Sequence, residues 1–196
     1  MRSVIDSTLA DVAANVGRLA GDGQALTAVE AGAAGLVSAL GGGGKVYAAG
    51  NGGSLCDAMH FAEELSGSFR DEREPLPATA IADAAHLTCV ANDFGFERVF
   101  ERYVRAHLRS GDALVAISTS GMSPNVLRAA RAARELGGFV LALTGRPGSL
   151  LGAAADVEVC TPAGAYSDRV QELHIVVIHL LVELVERSLF PSNYDA

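Results

Sequence analysis

Short β-prone runs alternate with helical stretches through most of the chain, and this alternation constrains the fold more than any other feature of the sequence. The runs lie at Val46–Ala49, Thr79–Ala82, Ala113–Ile117, Val140–Leu143 and Val157–Val159. Helical periodicity fills most of the gaps, at Ser54–Leu65, Phe96–Leu108 and Pro124–Leu136. Strands that alternate with helices form parallel βαβ units, with helices on both faces of one sheet. The sequence therefore predicts a doubly wound α/β domain.

Helical segments flank this alternating region at both ends. The first forty residues have apolar positions at helical spacing that is interrupted near Gly21-Asp22-Gly23, which predicts two helices. A long apolar helix is predicted from Asp168 to Leu189. No low-complexity linker, repeat or break in composition divides the chain, so residues 1–196 are predicted to form one domain.

Composition and charge exclude several classes of protein. Of the 196 residues, 49% are hydrophobic and 19% are charged, which indicates a substantial core. The formal net charge of −8, without a Lys/Arg cluster, argues against a nucleic-acid partner. No apolar run is long enough to span a bilayer and the first residues show no signal-peptide core, so we expect a cytoplasmic location and no membrane partner. Three well-separated cysteines are expected to be reduced and mostly buried: Cys56, Cys89 and Cys160.

The stretch AISTSGMSPNV places a cluster of hydroxyl side chains between a strand and a helix. Its hydroxyl residues are Ser118, Thr119, Ser120 and Ser123. Ser123 suits the N-cap of the helix and Pro124 its first position, whereas Gly121 permits the positive φ of a loop that wraps around an anion. Capping needs only Ser123, so the remaining hydroxyls favour a phosphate at the helix N-terminus, with ordinary capping as the alternative.

A second glycine-rich loop, AAGNGGSLCDAMH, follows the first predicted strand. Ser54 with Asp57 fits a capping box that opens a helix. The loop lacks the third glycine of a dinucleotide fingerprint, because Leu55 stands there. A tight strand-to-helix turn explains its glycines as well as a ligand loop does. Both loops are nevertheless expected at the carboxyl ends of parallel strands, where such sheets bind ligands.

Several titratable residues recur at helical spacing. His60 and Glu64 lie four residues apart, which suits a metal pair, an acid/base pair or a solvated helix face. The final helix carries His179 among apolar neighbours, where a histidine is more often a core residue than a catalytic one. It also carries Gln171 and Asp168, which fit a capping arrangement at its start.

The other notable polar residues are Asn92-Asp93 and three further histidines, for which the sequence favours structural roles or gives no role. Asn92-Asp93 precedes Phe94-Gly95, which indicates a turn first and a ligand contact second. His86 and His107 have no companion at ligand spacing and are interpreted as structural. His174 is left without an assigned role.

Four segments together resemble one family. GNGGSLCDAMHFAEELSG, CVANDFGFERVFERYV, AISTSGMSPNV and SDRVQELHIVVIHLLVELVE are similar to the phosphoheptose isomerases of the sugar-isomerase-domain (SIS) superfamily. The resemblance runs from about Gly50 to Glu186. It implies a five-stranded parallel sheet, a homotetramer with active sites between subunits, and interconversion of sedoheptulose 7-phosphate and D-glycero-D-manno-heptose 7-phosphate, which leads to activated heptose. A non-catalytic, sugar-phosphate-sensing or protein-binding module of the same fold is the alternative.

The resemblance also implies roles for individual residues. The substrate contacts would be Asn51, Gly52, Gly53, Ser54, Asn92, Asp93, Ser118, Thr119, Ser120, Ser123, Asp168 and Gln171. The acid/base pair would be Glu64 and His179. In zinc-containing members, one ion per subunit would be held by His60, Glu64, Gln171 and His179. The sequence leaves open whether Glu64 acts as the base or as a metal ligand during turnover.

The chain departs from the family pattern at two positions. Ser68 stands where a basic residue is common, and Arg70 is the nearby candidate to replace it. Met122 stands in the hydroxyl loop where asparagine is common.

Overall fold

The computed structural model describes residues 1–164 and 166–194, and its centre is a parallel sheet of five strands. The strands are β1 (Val46–Ala49), β2 (Ala78–Ala80), β3 (Ala113–Ser118), β4 (Phe139–Thr144) and β5 (Val157–Cys160). Their order across the sheet is β2-β1-β3-β4-β5, and every neighbouring pair is parallel. The predicted parallel sheet is thereby confirmed.

Eight α-helices surround the sheet within the described residues. They are α1 (Arg2–Gly21), α2 (Gly23–Gly41), α3 (Gly53–Ser66), α4 (Ala84–Phe94), α5 (Val99–His107), α6 (Pro124–Glu135), α7 (Leu150–Ala154) and α8 (Ser167–Leu189). The predicted break between the first two helices is confirmed, because Asp22 caps α2 by accepting hydrogen bonds from Gln24 and Ala25 main-chain nitrogens. Single 3-10 turns lie at Phe96–Arg98 and Pro191–Asn193.

The sheet is covered by helices on both faces, as predicted for a doubly wound domain. Strand β3 shows the division, because Val115 and Ile117 contribute to the core beneath α2, α3 and α8. Leu114 and Ala116, which point the other way, contribute to the core beneath α4, α5, α6 and α7. Helices α3 and α8 therefore share one face, although more than one hundred residues separate their sequences.

The strand order creates a switch point between β1 and β3. The chain leaves β1 towards β2 on one side of the sheet, whereas β3 pairs with β1 on the other side, in a register that joins Ala49 to Ala116. Crevices outside the carboxyl ends of strands at such a switch point are the usual ligand sites of open α/β sheets. The two loops singled out by sequence follow these two strands.

The three cysteine thiols are free, but their predicted burial is wrong. Cys56 and Cys89 are exposed and Cys160 is partly buried. The reason is helical geometry: Cys56 lies on the outer side of α3, next to the buried Asp57 and Ala58 that face the protein. Within the part of the chain that the structure describes, no helix is long and apolar enough to cross a membrane.

Candidate active site

The hydroxyl loop gathers its side chains around one point at the carboxyl end of β3. Ser118, the last residue of that strand, has its Oγ 3.1 Å from the Oγ of Ser123 and 3.5 Å from that of Ser120. Gly121 has a φ of +63°, a value that glycine adopts without strain, so the predicted positive φ is confirmed. Ser123 is the N-cap residue of α6 and Pro124 its first residue, as predicted, but the Ser123 hydroxyl makes no capping hydrogen bond.

A cavity of about 270 Å³ opens beside this loop and is lined in part by the positively charged side chain of Arg146. Its lining comprises Thr119, Ser120, Gly145, Arg146, Gly164, Tyr166, Ser167 and Val170. The guanidinium group of Arg146 suits a phosphate, because its donors form a planar fork. The sequence patterns did not indicate Arg146, which follows β4 and lines this cavity because β3 and β4 are neighbours in the sheet.

The glycine-rich loop after β1 starts α3 differently from the prediction. Gly52, and not Ser54, is the N-cap residue, and no side chain caps this helix. The predicted capping box of Ser54 and Asp57 is therefore wrong: the helix begins one residue before Ser54, whose main-chain nitrogen already donates to the Asn51 carbonyl at 3.0 Å. Ser54 is buried in the first turn.

Two asparagine side chains join the two loops across the switch point. The Asn51 amide donates to Asn125 Oδ1 at 2.9 Å, and the Asn125 amide donates back to Asn51 Oδ1 at 2.8 Å. Asn125 is almost fully buried and also accepts from the Val126 main-chain nitrogen. The predicted site residues did not include Asn125, although an asparagine directly after Ser123-Pro124 indicates a polar group at this edge.

The residues at the start of α8 separate into an inner and an outer group. Gln171 lies against Gly53, where a Cβ would come within 2.6 Å of the Gln171 Nε2 and would displace this side chain. Asp168 is exposed and pairs with Arg169 at 3.0 Å, a hydrogen bond that lowers the pKa of the Asp168 carboxyl. The helix has Tyr166 as its N-cap residue, so the predicted cap by Asp168 with Gln171 is wrong.

Helices α3 and α8 bring His60, Glu64 and His179 together. The Nε2 atom of His60 lies 3.0 Å from Glu64 Oε1 and 3.0 Å from the Nε2 atom of His179. The ring centroids of the two histidines are 5.2 Å apart. All three residues are partly buried; the His60 side chain is 41% exposed and that of Glu64 14%, so the His60–Glu64 pair is not a fully solvated helix face.

This cluster fits a metal ion. Its candidate ligand atoms all lie within 4.8 Å of one another. Tetrahedral zinc with bonds of about 2.0–2.1 Å needs ligand atoms about 3.3 Å apart, close to the separations found here. Two imidazoles and one carboxylate are typical donors of catalytic zinc sites. These separations suit the same three groups as partners in proton transfer.

One further carboxyl group lies close to the cluster. Asp57 is on α3, one turn before His60, and its exposed fraction is only 6%. Among residues 1–164 and 166–194, no group bonds its Oδ2. Burial raises the pKa of this carboxyl to about 6, against an opposing contribution from His60.

Asn92 and Asp93 lie in the last turn of α4 and not in a turn between elements. Both are exposed, and the Asn92 amide donates to Asp93 Oδ1 at 2.7 Å. The helix was missed because it ends in Asn-Asp-Phe-Gly, which has turn composition; the turn is formed only at Gly95, with a φ of +90°. Their contact with substrate stays a prediction.

The remaining histidines make main-chain hydrogen bonds. His86 Nε2 lies 2.9 Å from the Val99 carbonyl and His107 Nδ1 lies 3.0 Å from that of Tyr103, which agrees with structural roles. His174 is fully buried, with its Nε2 3.2 Å from the Thr144 carbonyl at the end of β4. Burial lowers the pKa of His174 to about 4.

The two departures from the family pattern have simple structural descriptions. Arg70, the candidate to replace a basic residue at Ser68, pairs with Glu183 at 2.8 Å on the outer part of α8. Met122 is 51% exposed at the tip of the hydroxyl loop, so its side chain does not contribute to the core.

Comparison with known proteins gives consistent matches over nearly the whole chain. The profile of the SIS domain matches residues 18–145. A phosphoheptose isomerase of Proteus mirabilis is 46% identical over 188 residues, which are 96% of this chain and 98% of that protein. A phosphoheptose isomerase of Escherichia coli O7:K1 is 47% identical with the same coverage.

Solved structures agree with the sequence matches. The phosphoheptose isomerase from Neisseria gonorrhoeae superposes with a TM-score of 0.87 at 36% identity, covering 94% of this chain and 98% of that one. The enzyme from Francisella tularensis gives 0.88 at 34% identity, covering 94% and 97%. The SIS profile and these nearly full-length relatives lead to one conclusion: the chain belongs to the SIS domain family and, within it, to the phosphoheptose isomerases.

Proposed function

We propose that this isomerase interconverts sedoheptulose 7-phosphate and D-glycero-D-manno-heptose 7-phosphate, the entry step to activated heptose. The observation that carries the proposal is the His60–Glu64–His179 cluster, with its 3.0 Å separations, on the helices that border the crevice. A module that only sensed a sugar phosphate would need the hydroxyl loop but would have no use for this cluster. The non-catalytic alternative is therefore disfavoured.

The reaction moves a proton between neighbouring carbons through an enediol. It requires a base at carbon, a partner that moves protons at oxygen, and stabilisation of the negative charge that develops. Glu64 is the proposed base, because its carboxylate is mostly shielded from solvent, with a side chain 14% exposed. His179 is the proposed partner at oxygen, since an imidazole both accepts and donates protons near neutral pH.

The phosphate end of the sugar is assigned to the hydroxyl loop. The hydroxyls of Ser118, Ser120 and Ser123 converge there, and the N-terminus of α6 adds the partial positive charge of the helix dipole. Arg146 supplies a positive charge to the adjoining cavity. Contacts to the phosphate and the rest of the sugar are proposed for Asn51, Gly52, Gly53, Ser54, Asn92, Asp93, Thr119, Asp168 and Gln171.

Zinc is the proposed metal, one ion per subunit. His60, Glu64 and His179 would hold it, with Gln171 as a fourth ligand from the same helix as His179. A bound zinc ion supplies Lewis acidity that polarises the sugar carbonyl. A Glu64 carboxylate that binds a cation is a weaker base, so the two roles assigned to Glu64 compete.

A homotetramer with active sites between subunits is the proposed assembly. Support comes from α1, whose first half exposes Val4, Ile5 and Leu9 at 64%, 53% and 62%. These side chains continue the helix face that carries the buried Leu19 near its end. An apolar face left uncovered on a projecting helix favours contact with another copy. We place the enzyme in the cytoplasm.

Proton NMR in D2O tests the reaction directly. Sedoheptulose 7-phosphate is incubated with metal-stripped protein and then with zinc-supplemented protein. We expect an aldoheptose anomeric signal to appear and its H2 signal to be weakened, because the proton at that carbon exchanges with solvent through the enediol. A dependence on added zinc would support the metal. The absence of an aldose signal in both samples would overturn the proposed substrate.

A further inference from the structure

A buried ion pair lies behind the cluster, on the side away from the hydroxyl loop. Arg73 follows α3 and Glu186 lies in the last two turns of α8; their side chains are 1% and 3% exposed. The Nε atom of Arg73 donates to Glu186 Oε1 at 2.5 Å. Removing two charges from water is costly, so such a pair is weak support for a purely stabilising role.

The other donors of Arg73 hold the end of α3. Nη2 donates to the main-chain carbonyl of Glu64 at 2.7 Å, and Nη1 donates to the carbonyl of Leu65 at 2.8 Å. The planar guanidinium group of Arg73 therefore bonds the backbone of Glu64, the proposed base, through its Nη2 atom. Its Nε atom bonds Glu186 on α8.

Glu186 is itself fixed from its other side. Its Oε2 accepts a hydrogen bond from the Tyr194 hydroxyl at 2.7 Å. One turn earlier on α8, Glu183 pairs with Arg70 at 2.8 Å. One turn earlier again, the ring of His179 lies 5.9 Å from that of Phe69, measured between centroids. The segment that follows α3 is thus attached to the face of α8 that carries His179.

These contacts affect the distance between the side chains of Glu64 and His179. Glu64 and His179 belong to different helices, and their functional atoms must keep separations of a few ångströms for proton transfer or for metal binding. A misplacement of about 1 Å in such a site can cost about 100-fold in rate. Arg73 is the residue that bonds both the Glu64 backbone and α8.

We propose that Arg73 and Glu186 form a positioning pair that holds the backbone of Glu64 at a fixed distance from His179 and thereby sets both kcat and the affinity for zinc. The inference rests on the proposed roles of Glu64 and His179. Neither member of the pair is assigned a contact with substrate, so KM should depend little on it.

The sharpest variant is Arg73→Lys, which retains a positive charge opposite Glu186 but lacks the fork that bonds the carbonyls of Glu64 and Leu65. We expect kcat to fall by at least about tenfold with KM within about twofold. Zinc affinity, measured by competition with a chromophoric chelator, should fall by about 10–100-fold, the usual effect of removing an outer support of a metal ligand. Wild-type kcat and zinc affinity in Arg73→Lys would overturn the proposal.

A matched control separates positioning from general loss of stability. Val104→Ala removes buried volume from α5, on the opposite face of the sheet. It should lower the free energy of unfolding without changing kcat or zinc affinity; losses equal to those of Arg73→Lys at equal stability would count against the pair. Should Arg73→Lys fail to fold, Glu186→Gln is judged by the same criteria, because it keeps the shape and removes the charge.

Glu64→Gln separates this inference from the function on which it rests. If the Glu64→Gln variant turns over substrate at the wild-type rate, Glu64 is not the base, and the function on which this inference rests is contradicted. An inactive Glu64→Gln variant beside a fully active Arg73→Lys variant would refute the positioning pair alone.

Discussion

At the scale of single residues, Glu64 is the proposed base and therefore the most informative residue to replace. Its carboxylate is mostly shielded and lies 3.0 Å from His60. Glu64→Gln preserves the shape but cannot accept a proton from carbon, so kcat should fall by at least about 100-fold while KM changes little. Glu63→Gln, at the exposed neighbouring position, is the control and should keep full activity. Steady-state kinetics at saturating zinc measures both; an undiminished kcat in Glu64→Gln would exclude it as the base.

His174 makes a second residue-scale prediction, about stability and pH. Burial lowers the pKa of His174 from 6.5 to about 4, so between these values the unfolded chain binds a proton that the folded chain does not. Its contribution to the free energy of unfolding is complete above pH 6.5 and is lost as the pH falls towards 4, by about 3 kcal/mol. Asp57, whose pKa is raised to about 6, acts in the opposite direction and partly masks this loss.

The comparison with His174→Gln isolates the effect, because glutamine keeps a donor for the Thr144 carbonyl and does not titrate. In urea unfolding, the wild type should lose about 3 kcal/mol more than the variant between pH 6.5 and 4. The difference between the two proteins should be constant from pH 7 to pH 8. Parallel curves over the whole range would show that His174 does not titrate differently on folding.

At the scale of elements, the loop between β3 and α6 is proposed to hold the phosphate of the substrate. Its serine hydroxyls bond one another, and the Ser123 hydroxyl does not cap α6, an arrangement suited to an incoming anion. Replacing Ser118, Thr119 and Ser120 by alanine should raise KM by at least about tenfold, since each hydrogen bond to a charged group contributes about 1.5–3 kcal/mol.

The matched control for the loop is Ser188→Ala, which removes an exposed hydroxyl bonded to the Leu184 carbonyl near the end of α8. It should leave KM unchanged. Inorganic phosphate should inhibit the wild type competitively and the loop variant weakly. A triple variant with wild-type KM would show that the hydroxyls do not bind the phosphate.

The predicted and observed bounds of the helices and strands show what local sequence patterns determine. The hydrophobic periodicity located β1, β3, β4 and the long α8 to within about one residue, because these segments are bounded by glycine or proline. It missed α4, whose last turn has the composition of a loop. It located α3 to within one residue but assigned the wrong cap, because Gly52 takes the capping position that Ser54 was expected to fill.

At the scale of the whole molecule, the exposed apolar side chains of α1 support the proposed homotetramer. Its last turns pack through Leu19, whereas Ile5 and Leu9 on the same face remain uncovered in a single chain. Ile5→Glu with Leu9→Glu should shift the protein from a tetramer to a smaller species in light scattering, because burying two carboxylates between copies is unfavourable. Ala10→Glu with Ala14→Glu adds the same charge on the opposite, exposed side of the helix and should leave the mass unchanged. A monomeric wild type would contradict the proposed assembly.

The sequence by itself determined the alternation of strands and helices, the parallel sheet and the carboxyl-edge position of both loops, since these follow from periodicity and from residues close together in the chain. It also identified His60 and Glu64, which share a helix face. Only the tertiary structure decided that His179 meets them, that Asn125 bridges the loops, and that Arg73 holds the Glu64 backbone. The contacts of His179 and Asn125 join residues 74 or more positions apart in the chain. The contact of Arg73 depends on the direction in which its guanidinium group points. These contacts form because α3 packs against α8 and because β1 pairs with β3. A local sequence pattern does not specify which helices pack together or which strands pair.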